Sequence, residues 1–406
     1  MVIKNVVLCD INGQKKSDIK IEDGLIVEIA KNLSDNETID AKGAYMLPSF
    51  IDININLQDA TLNAKNIKKI SKEALSGGIG HLVLNPTTNP PLDNEIALEY
   101  AQNALKDLDG AKIDLAINAL LEDSSLSNIA ILLKSGALAP YMSTIAKNDI
   151  AIKVAEYVKM YDVTLLCKAE DNSLIHNGVM LDGDVSSKLG LAGIPNLSEV
   201  LHVSRMTEIA KHFGIKILFK SIASPRSISL IDQAKKEGVS VSCEVSLTHL
   251  VKSDESCIGF KTSAKLDPPL ASKEDITALQ NALKNNSIDI LTTLHQPSSP
   301  INKEVAFYDA DYGSESLSYA ISLYYTKLVK SGLITMEKLV ELCVQNPAKA
   351  LGFKAGEFKV GERVDAILFD FTQNVVVKNS QSLFDLENLN GKVIMSLQGT
   401  QKINFL

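Results

Sequence analysis

Residues 49–55 read SFIDINI, residues 63–78 read NAKNIKKISKEALSGG, and residues 80–85 read GHLVLN. The first and third stretches are short apolar runs of strand length, and the second places apolar residues at helical spacing. Strand, helix and strand in that order make a βαβ unit. The pattern continues along the chain. Strand-like runs follow at IDLAINA (113–119), GALAPY (136–141), VTLLCK (163–168), IKILFK (215–220), VSVSCEV (239–245) and IDILTTL (288–294). Helix-period stretches lie between most of them, at 94–108, 196–214 and 227–238. Eight such units in series predict an α/β fold, a (β/α)8 barrel of the TIM type. An open doubly wound sheet is the rival. No G-x-G-x-x-G turn follows any strand, which weakens its nucleotide-binding form. Helices at 315–332 and 335–352 would close the barrel.

The two ends of the chain have a different texture. Residues 2–47 and the stretch from about Val360 onward read as short strands and turns. This predicts a small β-sandwich domain assembled from both termini, residues 1–49 plus 353–406, around a barrel of residues 50–352. The chain has 406 residues, 45% hydrophobic and 22% charged, with a net charge of −8. A mildly acidic surface argues against a nucleic-acid partner. No apolar run reaches membrane-span length, and the N-terminus lacks a signal-peptide pattern, so a cytoplasmic protein is expected. The five cysteines are scattered without a C-x-x-C pair, which disfavours a disulfide framework or a cysteine-bound zinc. No two of the six histidines stand two or four residues apart, so no local pair of metal ligands exists.

Barrel enzymes keep their chemistry at the C-terminal strand ends. Here the first strand ends in Asp52, Asn54 and Asn56, and the second leads into Asn85, Thr87 and Thr88. The fifth ends in Lys168, Glu170 and Asp171, and the sixth in Lys220 and Ser221. The seventh gives Glu244 and then His249, and the eighth Leu294 and His295. Asn54 and Asn56 share one face of a strand. Neutral amides bind transition metals weakly, an ammonium repels them, and Leu294 has no donor at all.

These strand ends also carry a family resemblance. PSFIDININLQD (48–59) resembles the P-G-F-I-D-x-H-x-H-x-R motif of type I dihydroorotases, amidohydrolases that work on the dihydroorotate ring in pyrimidine synthesis. NPTTNPP (85–91) is similar to the family's M-P-N-T-x-P loop, and CKAEDNSLI (167–175) to its H-x-E-D segment. SIASPRSISLI (221–231), CEVSLTHL (243–250), KLDPPLAS (265–272), LTTLHQP (291–297) and GSESL (313–317) resemble later motifs in order. Residues 346–370 resemble the closing segment that returns to the β-domain. The resemblance implies a zinc-dependent barrel hydrolase, and the departures fall on its functional positions. Asn54, Asn56, Lys168, Ser221 and Leu294 stand where it places metal ligands. Gln58, Thr87, Asp267 and Ala271 stand where it places substrate contacts. No aspartate occurs near Tyr141–Ser143, where the family has one.

A zinc site of this family sharpens a bound water into hydroxide near neutral pH. With every ligand position changed, no metal or cofactor is expected. The polar residues left at the mouth are Asp52, Glu170, Asp171, His249 and His295. The two histidines come from adjacent strands but lack a carboxylate partner. Three functions follow as expectations. The first is a pseudoenzyme subunit, like degenerate family members that associate with and support aspartate carbamoyltransferase; another copy of the chain is the second partner to consider. The second is an active cyclic amidohydrolase with an altered or metal-free site built from Lys168, Glu170, Asp171, His176 and His295. The third is a sensor that binds a cyclic ureide without turning it over.

Overall fold

A computed structural model describes residues 1–143 and 146–405. The expected β-domain is present, and hydrogen bonding joins its strands into one eight-stranded sheet. The N-terminal strands are Val2–Asp10, Gly13–Glu22, Leu25–Ala30, Thr38–Asp40 and Tyr45–Pro48. The C-terminal strands are Asp365–Val376, Asn388–Gln398 and Gln401–Asn404. The termini meet where Ile367 pairs with Leu47 and Leu368 with Met46. Alternate residues turn inward, so Ile3, Ile19, Met46, Ala366 and Leu368 form a core separate from that of the barrel.

One residue past that sheet the barrel begins. Its strands are β1 (Phe50–Ile55), β2 (Ile79–Leu84), β3 (Lys112–Asn118), β4 (Ala139–Met142), β5 (Thr164–Lys168), β6 (Lys216–Lys220), β7 (Val241–Ser246) and β8 (Ile290–Thr292). They pair in sequence order and in parallel. A bridge between Ile55 and His295, with Asn56 N–H donating to the His295 carbonyl at 3.0 Å, joins β1 to the end of β8 and closes the ring. Every residue of β1 is buried, as a parallel barrel strand requires.

The helices pack outside this ring for reasons visible in the chain. In Ala64–Ser76 the Asn63 side chain accepts from Asn66 N–H, capping the first turn, and Ile67, Ile70, Ala74 and Leu75 form the buried stripe. The helix ends at Gly77–Gly78. A Cβ on Gly77 would lie 1.8 Å from the Leu317 carbonyl oxygen, and Gly78 has φ +86°, so both positions call for glycine.

The helix expected at 315–332 starts only at Ala320, because Ser316 and Leu317 donate their N–H groups to the His295 ring. It continues through a widened π-turn at Tyr325–Val329. The following helix widens likewise at Glu341–Gln345, just before Pro347, which has no N–H to give. Among the described residues no helix is long and apolar enough to cross a membrane.

Candidate functional site

Parallel closure brings the ends of β1, β2, β6 and β7 to one point, and a buried polar network fills it. Asn54, 3% exposed, donates from Nδ2 to Ser221 Oγ at 2.7 Å and to the two Glu244 carboxylate oxygens at 3.0 and 3.2 Å. Its Oδ1 accepts from Asn85 Nδ2 at 2.7 Å. Asn85 Nδ2 also reaches Asn56 Oδ1 at 3.3 Å, as expected if residues 54 and 56 share a strand face. Asn85 Oδ1 accepts from Lys220 Nζ at 2.5 Å, and the Ile53 carbonyl accepts from the same ammonium at 2.6 Å. Lys220 Nζ lies 5.2 Å from the centre of the Tyr141 ring, a cation–π distance.

Glu244 is fully buried and fully occupied. Beyond Asn54, it accepts from Ser221 N–H at 3.0 Å and from the Thr292 hydroxyl. Asp52 is bound as closely, accepting from Asn54 N–H at 2.9 Å, Thr293 N–H at 2.8 Å and Thr293 Oγ1 at 2.6 Å. Burial pushes the Asp52 carboxyl up to about 6 against those bonds. Burial also pulls the Lys220 ammonium down to about 8, opposed by the charges of Glu244 and Asp52.

A second cluster lies at the rim. Lys168 Nζ bonds Asp267 Oδ2 at 2.7 Å and Glu170 Oε2 at 3.1 Å. Burial alone would lower the Lys168 pKa, but the two carboxylates outweigh it and raise it. Burial holds the Glu170 carboxyl above the ordinary range.

Of the five positions where zinc ligands were expected, three (Asn54, Asn56 and Ser221) meet in the centre, and Lys168 stands at the rim. Leu294 is buried and offers no donor. Ser221 and Leu294 have φ of +56° and +51°, left-handed backbone that is uncommon outside glycine. Of the substrate positions, Asp267 joins Lys168. Gln58 accepts from Lys69 on the first barrel helix at 3.0 Å. Thr87 is exposed, and Ala271 is buried, its carbonyl accepting from Asp254 N–H.

The remaining mouth candidates are held locally. Asp171 accepts from Ser173 N–H and Oγ and so caps a short turn. His249 bonds Ser246 Oγ through Nδ1 at 2.8 Å and the Pro268 and Pro269 carbonyls through Nε2, each at 3.1 Å. His295 accepts on Nδ1 from Ser316 and Leu317 N–H, which leaves the proton on Nε2, buried and without a partner among the described residues. No bond links the two histidines, and His176 is exposed.

Reading strand ends one at a time missed Lys220, Asn85, Thr292 and Thr293 as members of one network. Only the clustering of polar residues at the ends of β2, β6 and β8 hinted at it.

Zinc takes imidazole, thiolate or carboxylate donors. The side chains here are carboxamides, a hydroxyl and an ammonium, and the Glu244 oxygens already accept from chain donors. Among the described residues no three His, Cys, Asp or Glu side chains converge as a metal-binding group. The donor set does not fit a zinc ion.

The pattern that describes the amidohydrolase family matches residues 45–396. A dihydroorotase of Caldanaerobacter subterraneus subsp. tengcongensis is 35% identical over 381 residues, 91% of this chain and 87% of that protein. A dihydroorotase of Elusimicrobium minutum is 36% identical over 392 residues, 94% and 90% of the two chains. Among solved structures, an L-hydantoinase (dihydropyrimidinase) from Arthrobacter aurescens superposes with a TM-score of 0.87 at 23% identity, covering 99% of this chain and 95% of its own, a likeness of fold. On this match of pattern, sequence and architecture, the chain belongs to the amidohydrolase family and has dihydroorotases among its relatives.

Proposed function

We propose that this chain is a dihydroorotase-like protein of pyrimidine biosynthesis without hydrolytic activity, serving as a subunit that associates with and supports aspartate carbamoyltransferase. One observation carries the reading. At the mouth, where a hydrolase of this family needs an activated water, the donors are amides and an ammonium, and the buried Glu244 is saturated by chain donors. Among the described residues, no side chain at the centre of the mouth is free to lower the pKa of a bound water. A barrel that keeps its core and its mouth loops without that chemistry suits a role of shape. The carbamoyltransferase is named on the resemblance to degenerate dihydroorotase-like family members alone, which implies such a partner.

The test has two parts. Purified protein is assayed for dihydroorotate hydrolysis with and without added zinc, and no turnover is expected. It is then mixed with the carbamoyltransferase of the same organism at micromolar concentration, and a complex with raised or stabilised carbamoyltransferase activity is expected. Turnover, or the absence of any complex, would overturn the corresponding half.

One cluster favours a second reading, an active cyclic amidohydrolase with a metal-free site. Lys168, Glu170 and Asp267 form a partly exposed acid–base group at the rim. Hydrolysis of dihydroorotate or a hydantoin by chelator-treated protein, abolished by Lys168→Met, would establish it.

A further inference from the structure

The polar atoms between Lys220 and Glu244 run in one direction. The ammonium donates to Asn85 Oδ1, Asn85 Nδ2 donates to Asn54 Oδ1, and Asn54 Nδ2 donates to the Glu244 carboxylate, at 2.5, 2.7 and 3.0 Å. Each amide turns its oxygen toward the cation and its N–H toward the anion. Bonds arranged head to tail polarise one another, and a dipole aligned between opposite charges lowers the cost of burying both. Reversing either amide would set N–H against ammonium or oxygen against carboxylate, so the two charges fix both orientations. An aspartate at 54 would lack the N–H, and a leucine would lack both groups.

The chain of bonds crosses four strand ends. Asn54 belongs to β1, Asn85 follows β2, Lys220 ends β6 and Glu244 lies on β7. Both ends are anchored further, Lys220 by the Ile53 carbonyl and Glu244 by Ser221 N–H and the Thr292 hydroxyl of β8.

We propose that Lys220, Asn85, Asn54 and Glu244 form an internal ion pair bridged by two amides, which locks the ends of β1, β2, β6 and β7 together. The inference deepens the non-catalytic reading of this site and rests on it. Asn54 is then a working bridge rather than the remnant of a ligand, and Lys220 is a positioning residue with a structural task.

A double-mutant cycle on the full chain tests the charge coupling. Lys220→Met and Glu244→Gln each remove one charge at nearly constant size. Each single change is expected to lower the melting temperature by about 5–10 °C, since it leaves the other charge buried without its counter-charge. The double variant is expected to melt no lower than the worse single variant. Fully additive losses would overturn the pair.

Should a single variant fail to fold, nitrogen-15 NMR of the lysine side chains in the unaltered protein decides. A slowly exchanging ammonium for Lys220 at pH 6 is expected, and a neutral amine would overturn the proposal. Failure here is separable from failure of the function. Coupling in a zinc-bearing protein that cleaves dihydroorotate would overturn only the function, and an additive cycle in an inactive, zinc-free protein would overturn only the ion pair.

Discussion

Lys220 at the centre of the mouth is 1% exposed and makes no salt bridge among the described residues. Lys168 at the rim has a side chain 20% exposed and pairs directly with Asp267 and Glu170. The two lysines lie on neighbouring strands of one barrel, yet their charges are handled in opposite ways. At the rim, water reaches the ions, and direct pairing suffices although each pair adds little stability. At the centre water is excluded, and a buried charge must have every donor and acceptor met. The centre therefore spends two asparagines, a serine and two threonines on one cation and two carboxylates. The difference teaches that the central strand ends of this barrel hold a closed, buried polar network, while the rim holds partly exposed, directly paired charge.

Substitutions sharpen or break that contrast. Glu244→Ala has the largest expected effect. It leaves Ser221 N–H and the Thr292 hydroxyl without their acceptor, takes the carboxylate from the Asn54 amide and removes the charge that faces Lys220 through the two amides, and about 3–5 kcal/mol of stability should be lost in denaturant titration. A loss under 1 kcal/mol would mean the centre is not a closed network. Asn54→Leu comes next, at about 1–3 kcal/mol, because it takes from Asn85 Nδ2 its nearest acceptor and from Glu244 one of its donors while keeping the branched shape of the side chain.

His295→Gln changes the pH profile more than the stability at neutral pH. Burial holds the His295 pKa down at about 3, whereas the unfolded chain protonates near its ordinary 6.5. The unfolded state thus binds the extra proton between those values, so the contribution is present above pH 6.5 and lost as pH falls toward 3. Thermal melts from pH 7 to 4 should fall less steeply in the variant, and an unchanged slope would refute a neutral, buried His295. Asp267→Asn should be smallest, at most about 1 kcal/mol, and that loss should shrink further in high salt. If it rivalled Glu244→Ala, the division into centre and rim would collapse.

The fold was legible because barrel strands buried on both faces are apolar runs, and their helices carry a 3.6-residue stripe. Each of the eight expected runs overlaps an observed strand, such as Ile290–Thr292 within 288–294. The late helices were legible in place but not in form. The delayed start of the first depends on bonds from Ser316 and Leu317 to His295, about 20 residues back.

In the site, the unusual residue at each strand end could be read singly. Their partners could not, since Asn54 meets Glu244 at a separation of 190 residues and Lys220 meets Asn85 at 135. Lys168, Glu170 and Asp171 stand close together in the sequence. The structure pairs it with Glu170 and with Asp267, 99 residues away, while Asp171 serves its own turn. Local spacing brought His249 and His295 to adjacent strands, and local backbone then claimed each of them.

Metal stoichiometry bears most directly on the claim that this mouth is filled by the chain's own charges. Protein purified without chelator, then dialysed against zinc and desalted, is analysed for metal content per chain. Zinc far below one equivalent, with a melting temperature indifferent to zinc or EDTA, is the predicted result. One tightly held zinc per chain, removed together with stability by EDTA, would contradict it.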